Sequence, residues 1–435
     1  MSSAGKRPRA VVLVGNPVNP YSRAIRIGRT LTELGYEVEI AATTERNAPA
    51  EQRDGDLVIR RYPPSGIFAK LSDAYRWEAP AAPGAPARRP PPFRTRIVRA
   101  IRRGPLSWLL WPHTVRGWWA PLATELAPAD LYHSCGTLPI AAALAARTRD
   151  RQAGRRSTVI LDVIDISLES NNVLGMPSIL GPLLDRRERG WVRAADAHTA
   201  VNDALADRAV ARWGLGRRPT VVPNYPEPRT TPAGAPPPDR IREATGLPPT
   251  TRICLFWGRL GPYVGLDEAA EAVLAVPDAA LVVLGFGRGW DASVARDADP
   301  RYSGRHVTLP AVHPDLLLDW VASADVALCT LPPLSFNQRH ATPNKFLEAM
   351  AAGTPIVLGP DLPVMQTMLE RDDLGRVARS MAPADIAAAI RSILDLPVDE
   401  RAAWRERIAT TARATSTWPV AAAAYRALVE EVRAP

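Results

Sequence analysis

Short apolar segments alternate with amphipathic ones along the start of the chain. Residues 10–17 read AVVLVGNP, a continuous run of strand-forming residues that ends in turn residues. The next segment, residues 22–42, gives a helical pattern, a glycine stop and a second apolar run. A strand, a helix and a strand within about 35 residues form a βαβ unit, which implies a parallel sheet.

The same alternation continues in two long series. One series resumes after residue 125 and ends near residue 224, and the other begins with TRICLFWG at 251–258. Between them lies YPEPRTTPAGAPPPD (225–239), whose six prolines are too many for a helix or a strand. Because 435 residues exceed a single hydrophobic core, we predict an α/β fold of two Rossmann-like, doubly wound domains that face each other across a cleft. The domains are predicted over 1–224 and 240–412, with 225–239 as the linker.

An insert rich in proline, arginine and tryptophan interrupts the first domain at 78–121. Its first part, residues 78–92, is of low complexity. In the first part of residues 93–121, apolar side chains at 93, 97 and 101 repeat every four residues among arginines, and four tryptophans lie further along the segment. This pattern is typical of an amphipathic helix at an anionic membrane surface. The alternative is that the apolar groups pack on the sheet and the arginines are solvated.

The charge and composition narrow the possible partners. A net charge of +9 fits nucleic acid, an anionic membrane or a phosphorylated substrate, and it also fits a GC-rich genome. Nucleic acid is not expected, because the arginines cluster in one insert without an aromatic and basic reading motif. No apolar run reaches the ~20 residues of a membrane-spanning helix, and the N-terminus lacks the apolar segment of a signal peptide. We therefore expect a cytoplasmic protein, with the inner membrane face as an alternative location.

The stretch HATPNKFLEAMAAGTPIV (340–357) predicts a short helix from about 343 to 352. Thr342 suits the N-cap, Pro343 suits the first helical position and a glycine stops the helix. Lys345 and Glu348 then lie one turn apart near the helix N-terminus, which attracts anions. This end can bind a phosphate, and the carboxylate can accept hydrogen bonds from a ribose diol. Taken alone, the pair is also an ordinary exposed ion pair worth about 0.2–0.5 kcal/mol.

A second stretch, residues 252–273, adds a positive charge to the same region. It predicts a buried strand that ends at Gly258, followed by Arg259 and a glycine-bearing loop. An arginine at the carboxyl end of a strand faces the cleft, and with Lys345 it could neutralise a diphosphate without a metal. Asp297 and Asp299 have the spacing of an acidic metal motif, but they lie in a polar stretch, and we interpret the spacing as coincidence. The three cysteines have no metal-site spacing.

Five motifs occur in a fixed order through the chain. They are VPN (222–224), WGRLGPYVGLDEA (257–269), ALVVLGFGRG (280–289), ADVALCTL (324–331) and PNKFLEAMAAGTPIV (343–357). In this order and spacing they resemble the retaining family 4 glycosyltransferases of GT-B fold. The resemblance runs from about residue 10 to the end, and it implies that a C-terminal helix at 413–435 crosses back to the first domain. The glycines after residue 284 do not fit the GxGxxG pattern, which disfavours a dinucleotide enzyme.

The resemblance also implies roles for individual residues. Arg259 and Lys345 would bind the diphosphate of a nucleotide-sugar donor, and Glu348 would bind the nucleotide ribose. The nucleotide sugar is then a co-substrate, and no metal or other cofactor is expected. The other donor-side residues that the resemblance implies are Gly258, Gly285, Gly287, Val312, His340, Thr342, Pro343 and Asn344.

Two residues depart from the pattern of the family. Val264 stands in the arginine loop where a basic residue is common, and His340 stands where a second glutamate often contacts the donor sugar. Diphosphate binding then depends on fewer charges. Two interpretations remain open, namely a changed sugar specificity and a loss of activity.

The acceptor side is predicted less sharply. In DLYHSCG (130–136), His133 matches the first position of a His-x-His pattern that the family often has, although a lone histidine is more often structural. Asp165 lies at a strand end, with Glu169 and Asn171 in the loop beyond, where they could recognise hydroxyl groups or be merely solvated. Arg23 could bind an anionic acceptor or be surface charge.

These features together predict a metal-independent glycosyltransferase. It would move a sugar from a nucleotide-diphosphate donor to a hydroxyl acceptor with retention of configuration. The acceptor could be a cell-envelope polysaccharide, a glycolipid or a secondary metabolite. The alternative is a catalytically silent GT-B protein that binds a sugar nucleotide or a partner glycosyltransferase.

Overall fold

The computed structural model describes residues 7–18, 22–44, 48–63, 122–173, 176, 178–229 and 238–433. Two compact units emerge from the contacts between them. Unit 1 comprises the described residues up to Pro223 together with those from Ala422 onward, and unit 2 runs from Asn224 to Ala421. The predicted insert at 78–121 and residues 230–237 of the predicted linker lie outside the described residues.

Unit 1 is built from strands and helices that alternate along the chain. Its strands are β1 (Arg9–Val14), β2 (Glu37–Thr43), β3 (Glu51–Asp54), β4 (Leu57–Tyr62), β5 (Leu131–Cys135), β6 (Thr158–Val163), β7 (Ala197–Ala200) and β8 (Thr220–Val221). Its helices are α1 (Ser22–Glu33), α2 (Ile140–Gln152), α3 (Leu180–Ala194) and α4 (Asp203–Trp213). Two short 3-10 turns, Ser167–Glu169 and Asn171–Val173, follow β6.

The strands of unit 1 form one sheet in the order β3-β4-β2-β1-β5-β6-β7-β8. Neighbouring strands pair in parallel except for β3 and β4, which pair antiparallel. β1 lies inside this sheet, and its residues from Ala10 to Val14 are fully buried. A strand that is covered on both faces reads as a continuous apolar run, which explains why residues 10–14 do not alternate in polarity.

Unit 2 repeats the same plan. Its strands are β9 (Arg252–Leu260), β10 (Ala279–Gly287), β11 (His306–Pro310), β12 (Val326–Cys329), β13 (Ile356–Leu358) and β14 (Gly375–Val377). Its helices are α5 (Arg240–Thr245), α6 (Leu266–Leu274), α7 (Trp290–Asp297), α8 (Pro314–Ala322), α9 (Phe336–Arg339), α10 (Asn344–Ala352), α11 (Pro363–Arg371), α12 (Pro383–Leu394) and α13 (Val398–Thr415).

The sheet of unit 2 has the order β11-β10-β9-β12-β13-β14, and its strand pairs are all parallel. β9 and β10 lie in register from Arg252 opposite Ala279 to Leu260 opposite Gly287. Strand β9 therefore runs two residues beyond the predicted end at Gly258, because its ladder with β10 continues through Arg259. The two sheets, parallel apart from the β3–β4 pair, and the helices between their strands confirm the predicted α/β class with two doubly wound units.

The final helix, α14 (Trp418–Arg433), belongs to unit 2 as far as Ala421 and to unit 1 from Ala422 onward. In its unit 1 part, Tyr425 is fully buried. Among the described residues, no helix has both the length and the apolar character needed to span a membrane.

Candidate donor site

Helix α10 carries the two charged residues that the sequence singled out. It begins at Asn344, and Pro343 is its N-cap with extended backbone (φ −65°, ψ 151°) and no side-chain capping bond. The prediction of Thr342 as the N-cap was wrong by one residue, because Pro343 stays outside the helix. Gly353 ends the helix in the left-handed conformation, as predicted. The buried face of Phe346, Leu347, Ala349 and Met350 fixes the helix on unit 2.

Lys345 lies in the first turn of α10 against an aromatic ring. Its Nζ is 3.6 Å from the ring centroid of Phe256 in β9, which is a cation–π contact. Burial lowers the pKa of Lys345 to about 8, although Cys329 and the carboxylate of Glu348 act in the opposite direction. A lysine that has lost part of its hydration gains more from an arriving phosphate than a fully hydrated one.

Glu348 contacts Trp257, the residue of β9 that follows Phe256. The indole N–H of Trp257 donates a hydrogen bond of 2.7 Å to Oε2 of Glu348. Trp257 is 3% exposed, so this donor is held by the core of unit 2. The sequence predicts Phe256 and Trp257 only as apolar residues of a buried strand and gives neither a contact with α10. The available signal was their position just before Arg259, since the carboxyl end of a central strand is where ligands bind.

Asn344 is held by a residue of the VPN motif. The side-chain amide of Asn224 donates to Oδ1 of Asn344 at 2.6 Å, and Asn224 is buried. The first two turns of α10 therefore have contacts at Asn344, Lys345 and Glu348, with Asn224, Phe256 and Trp257 as the respective partners. This arrangement fixes the N-terminal end of the helix relative to β9.

Arg259 is the penultimate residue of β9 and lies opposite Phe286 of β10. Arg259 is exposed to solvent. Gly258, directly before it, has a φ of +100°, and a Cβ at that position would meet nothing within 4 Å. The predicted binding of a diphosphate by Arg259 and Lys345 stays a prediction.

Gly285 and Gly287 allow the ends of β9 and β10 to pack closely. A Cβ on Gly285 would lie 2.5 Å from the side chain of Leu260, and one on Gly287 would lie 2.6 Å from the carbonyl oxygen of Leu260. Gly287 also has a φ of +115°, which side chains rarely tolerate. The structure therefore gives both glycines a packing role, and their contact with a nucleotide stays a prediction.

The loop after β9 is tied to the elements around it. Thr330 Oγ1 donates to the carbonyl of Gly265 at 2.8 Å, and Gln338 Nε2 donates to the carbonyl of Tyr263 at 3.0 Å. A Cβ on Gly265 would lie 1.6 Å from the carbonyl oxygen of Thr330, so this position requires glycine. Val264 packs against the core of unit 2. The residue that departs from the family pattern thus has a packing role here.

His340 directly follows α9 and has a fixed ring. It stacks on Phe336 with the centroids 4.2 Å apart and an interplanar angle of 23°. Its Nδ1 lies 3.0 Å from the carbonyl oxygen of Phe336. The ring is half-buried, as are Thr342 and Pro343, while Val312 is half-buried in the turn between β11 and α8. Their contacts with a donor stay predictions.

The acidic pair Asp297 and Asp299 has structural partners. The carboxylate of Asp297 accepts hydrogen bonds from the backbone and hydroxyl of Thr308 at 3.1 and 3.0 Å and lies 2.6 Å from Nδ1 of His306. Asp299 caps the short turn Pro300–Tyr302 and binds Arg301. These contacts explain the two carboxylates without a metal motif.

Arg23 lies inside unit 1, which corrects its predicted role at an acceptor. Its guanidinium contacts both oxygens of Asp162 at 2.5 and 2.7 Å and donates to the carbonyl of Val222 at 3.0 Å. Arg23 is 2% exposed and Asp162 is fully buried. Burial by itself would raise the pKa of Asp162, but the Arg23 guanidinium holds this pKa well below its usual range. The arginine balances a core carboxylate.

His133 is also a core residue of unit 1 and not a surface contact. It is fully buried in β5, and its Nδ1 lies 3.0 Å from the hydroxyl of Tyr425 in α14. With Cys135 and Asp162 it forms a cluster whose ligand atoms lie within 4.8 Å of one another. The cluster does not fit a metal ion, because Asp162 is occupied by Arg23 and burial raises the pKa of the Cys135 thiol, which keeps it protonated.

The other acceptor-side predictions separate into two groups. Glu169 accepts hydrogen bonds from Arg208 at 3.0 Å and from Arg212 at 2.8 Å, so it is an ion-pair partner, and its role in hydroxyl recognition stays a prediction. Asp165 is exposed, and desolvation by the protein around it nevertheless raises its pKa to about 6. Asn171 is half-buried, and its Oδ1 has no hydrogen-bond partner among the described residues. Asp165 and Asn171 stay predictions.

Comparisons with known proteins place part of the chain in a family. Residues 251–396 match the family described as Glycosyl transferases group 1. The chain is 29% identical over 262 residues to D-inositol 3-phosphate glycosyltransferase 2 of Catenulispora acidiphila, an alignment that covers 56% of this chain and 58% of the relative. The chain therefore spans less than two thirds of the length of this curated relative.

Solved structures show the same fold. Sucrose-phosphate synthase of Thermosynechococcus elongatus has a TM-score of 0.65 at 15% identity, with 98% of this chain and 99% of that chain covered. HepE of Anabaena, in complex with UDP and glucose, has a TM-score of 0.61 at 13% identity over 98% and 99% of the two chains. Arg259, Lys345 and Glu348 lie in the matched segment. Residues 251–396 therefore resemble a glycosyl transferases group 1 domain, in agreement with the motifs that lie within them.

Proposed function

We propose that the protein is a glycosyltransferase that takes a sugar from a nucleotide-diphosphate donor and transfers it to a hydroxyl acceptor. The observation that carries this proposal is the start of α10, where Lys345 and Glu348 lie one turn apart and are held by β9. The family of residues 251–396 supports it. The relative from Catenulispora acidiphila is named a glycosyltransferase, and HepE was solved with UDP, so UDP-sugars are the first donors to test.

In the proposed reaction, the bond between the anomeric carbon and the diphosphate oxygen breaks, and a bond to the acceptor oxygen forms. The acceptor attacks on the face from which the diphosphate leaves, so the configuration is retained. The departing phosphate oxygen takes the proton of the acceptor hydroxyl. Arg259, Lys345 and the free N–H groups at the start of α10 stabilise the negative charge that develops on the leaving group.

The proposal requires no metal ion, because the protein's own cations take the position of a divalent ion at the diphosphate. Glu348 binds the ribose of the donor, and His340 lies where a family member's glutamate often contacts the sugar. The acceptor is a hydroxyl-bearing polysaccharide, glycolipid or small molecule. An anionic membrane surface, contacted through 93–121, remains part of the proposal.

The test measures release of nucleoside diphosphate from UDP-, GDP-, ADP- and TDP-glucose by the full chain, with a heat-inactivated sample as the blank. We expect release with at least one donor. Lys345→Ala should lower kcat/KM by about 100-fold, because removing one preformed charge-stabilising donor typically has that effect. Glu348→Ala should mainly raise KM, because the ribose is bound equally in the ground and transition states.

Matched controls come from the exposed surface of the same unit. Arg407→Ala and Glu400→Ala remove charges of the same signs from α13, and both residues are exposed. These variants should keep the wild-type rate. Full activity in both Lys345→Ala and Glu348→Ala would contradict the assignment of the site.

A silent GT-B protein is the second candidate, and His340 and Val264 are the observations that favour it. Such a protein would bind a nucleotide sugar without cleaving it. Binding without any release of nucleoside diphosphate, in the presence of cell-envelope glycan and glycolipid extracts, would identify this second function. Release above the blank would exclude it.

A further inference from the structure

Two consecutive aromatic residues of β9 each hold one of the two charged residues of α10. The ring of Phe256 contacts the ammonium of Lys345, and the indole N–H of Trp257 donates to the carboxylate of Glu348. Opposite charges one turn apart on a helix attract each other. The separate contacts with Phe256 and Trp257 hold the ammonium and the carboxylate independently of this attraction.

Trp257 is suited to fix the direction of a carboxylate. Its indole N–H can only donate, so its partner must be an acceptor. The indole N–H belongs to a side chain on a central strand that is 3% exposed, so it cannot move with the carboxylate if that group turns. Glutamate has three rotatable side-chain bonds, and a fixed hydrogen bond at 2.7 Å selects among its rotamers.

We propose that Trp257 is a positioning residue of the donor site: it orients the carboxylate of Glu348 toward the ribose diol of the nucleotide. This inference rests on the proposed function and adds a residue to it. Trp257 does not touch the donor and acts through Glu348. The consequence is discrimination, because an oriented carboxylate binds a nucleotide with both ribose hydroxyls better than one that lacks them.

The experiment measures the Kd of the full chain for UDP and GDP and for their 2′,3′-dideoxy analogues by titration calorimetry. The quantity of interest is the ratio of the dideoxy Kd to the ribose Kd. This ratio reports on the folded fraction alone, so it remains valid if a variant is less stable. Trp257→Phe removes the N–H donor and keeps an aromatic ring in the core.

The matched control is Trp404→Phe. Trp404 lies in α13 of the same unit, is also 3% exposed, and donates its indole N–H to the carbonyl of Asp373 at 2.5 Å. Both substitutions remove one buried indole hydrogen bond and leave a similar cavity. They differ in the acceptor, because Trp404 donates to a backbone carbonyl and Trp257 donates to the carboxylate of Glu348.

We expect the ratio to be about 10 or more in the wild type, or about 1.4 kcal/mol, and to fall toward 1 in Glu348→Ala. Trp257→Phe should lower it almost as far, and Trp404→Phe should leave it at the wild-type value. Trp257→Phe combined with Glu348→Ala should give no further loss, because both changes remove the same interaction.

Three results would overturn the inference. A wild-type ratio in Trp257→Phe, together with a lost ratio in Glu348→Ala, would leave the proposed function intact and remove the role of Trp257. An equal loss in Trp404→Phe would show general loosening of unit 2. Failure of the wild type to bind either ribonucleotide would contradict the proposed function and the inference with it.

Discussion

At the scale of single residues, the proposed donor site contains a lysine that is partly removed from water. Lys345 lies on the face of Phe256, and burial lowers its pKa to about 8. In the free protein this lysine therefore begins to lose its proton near physiological pH. A bound diphosphate stabilises the ammonium form, so the pKa of Lys345 is higher in the complex than in the free protein.

This difference predicts a pH dependence of nucleotide binding. As the pH rises through about 8, binding must be accompanied by proton uptake at Lys345, and the affinity for UDP or GDP should fall by up to about tenfold per pH unit. Calorimetry from about pH 7 to about pH 9.5 measures this affinity. The range lies above the pKa of a phosphate, at about 6, so the charge of the phosphate does not change.

Lys345→Arg provides the control for this titration. The guanidinium stays charged at these pH values, so the affinity of the variant should be flat where that of the wild type falls. A parallel fall in both proteins would mean that a group other than Lys345 titrates.

The sequence predicted some residues of the site and misplaced others. Lys345 and Glu348 could be found because their spacing and the helix signals around them are local. The partner of Glu348, Trp257, is 91 positions away and could not be inferred from that spacing. Arg23 and His133 are core residues, and no local pattern reveals their contacts with Asp162, 139 positions from Arg23, and with Tyr425, 292 positions from His133.

At the scale of elements, the carboxyl ends of β9 and β10 determine where Arg259 lies. The two strands can run side by side to Leu260 and Gly287 because glycines leave room for the backbone and side chain of Leu260. Strand β9 was predicted up to Gly258, and its extension depends on this pairing, which sequence periodicity does not reveal. Helix α10 was predicted within one residue because a proline and a glycine bound it.

The role of Gly287 can be tested through stability. Gly287→Ala places a methyl group 2.6 Å from a carbonyl oxygen at a φ of +115°, and we expect a loss of about 1–3 kcal/mol or more in the free energy of unfolding. Urea unfolding followed by tryptophan fluorescence measures the loss.

The comparison is Gly304→Ala in the same unit. Gly304 has a φ of +76°, but a Cβ there meets nothing within 4 Å, so this variant carries the backbone strain without the clash. It should lose clearly less stability than Gly287→Ala. Equal losses would show that the close packing at Leu260 does not matter.

At the scale of the whole molecule, two α/β units with parallel sheets were predictable because strand and helix patterns alternate on both sides of a proline-rich segment. The family of residues 251–396 could be predicted from five motifs in order. The acceptor side was predicted less well, because its candidates are isolated residues of unit 1 that no ordered series of motifs supports. The residues that the sequence predicts to contact a nucleotide-sugar donor all lie in unit 2.

The most direct test of the account is a thermal-shift panel of UDP-, GDP-, ADP- and TDP-sugars with the full chain. A sugar nucleotide present at about 100 times its Kd should stabilise the wild type by about 2.7 kcal/mol. The same donor should give little or no shift with a variant that carries Arg259→Ala and Lys345→Ala together, while Arg407→Ala should respond as the wild type does. No shift with any donor, or an equal shift with and without the two cations, would contradict a diphosphate site at the start of α10.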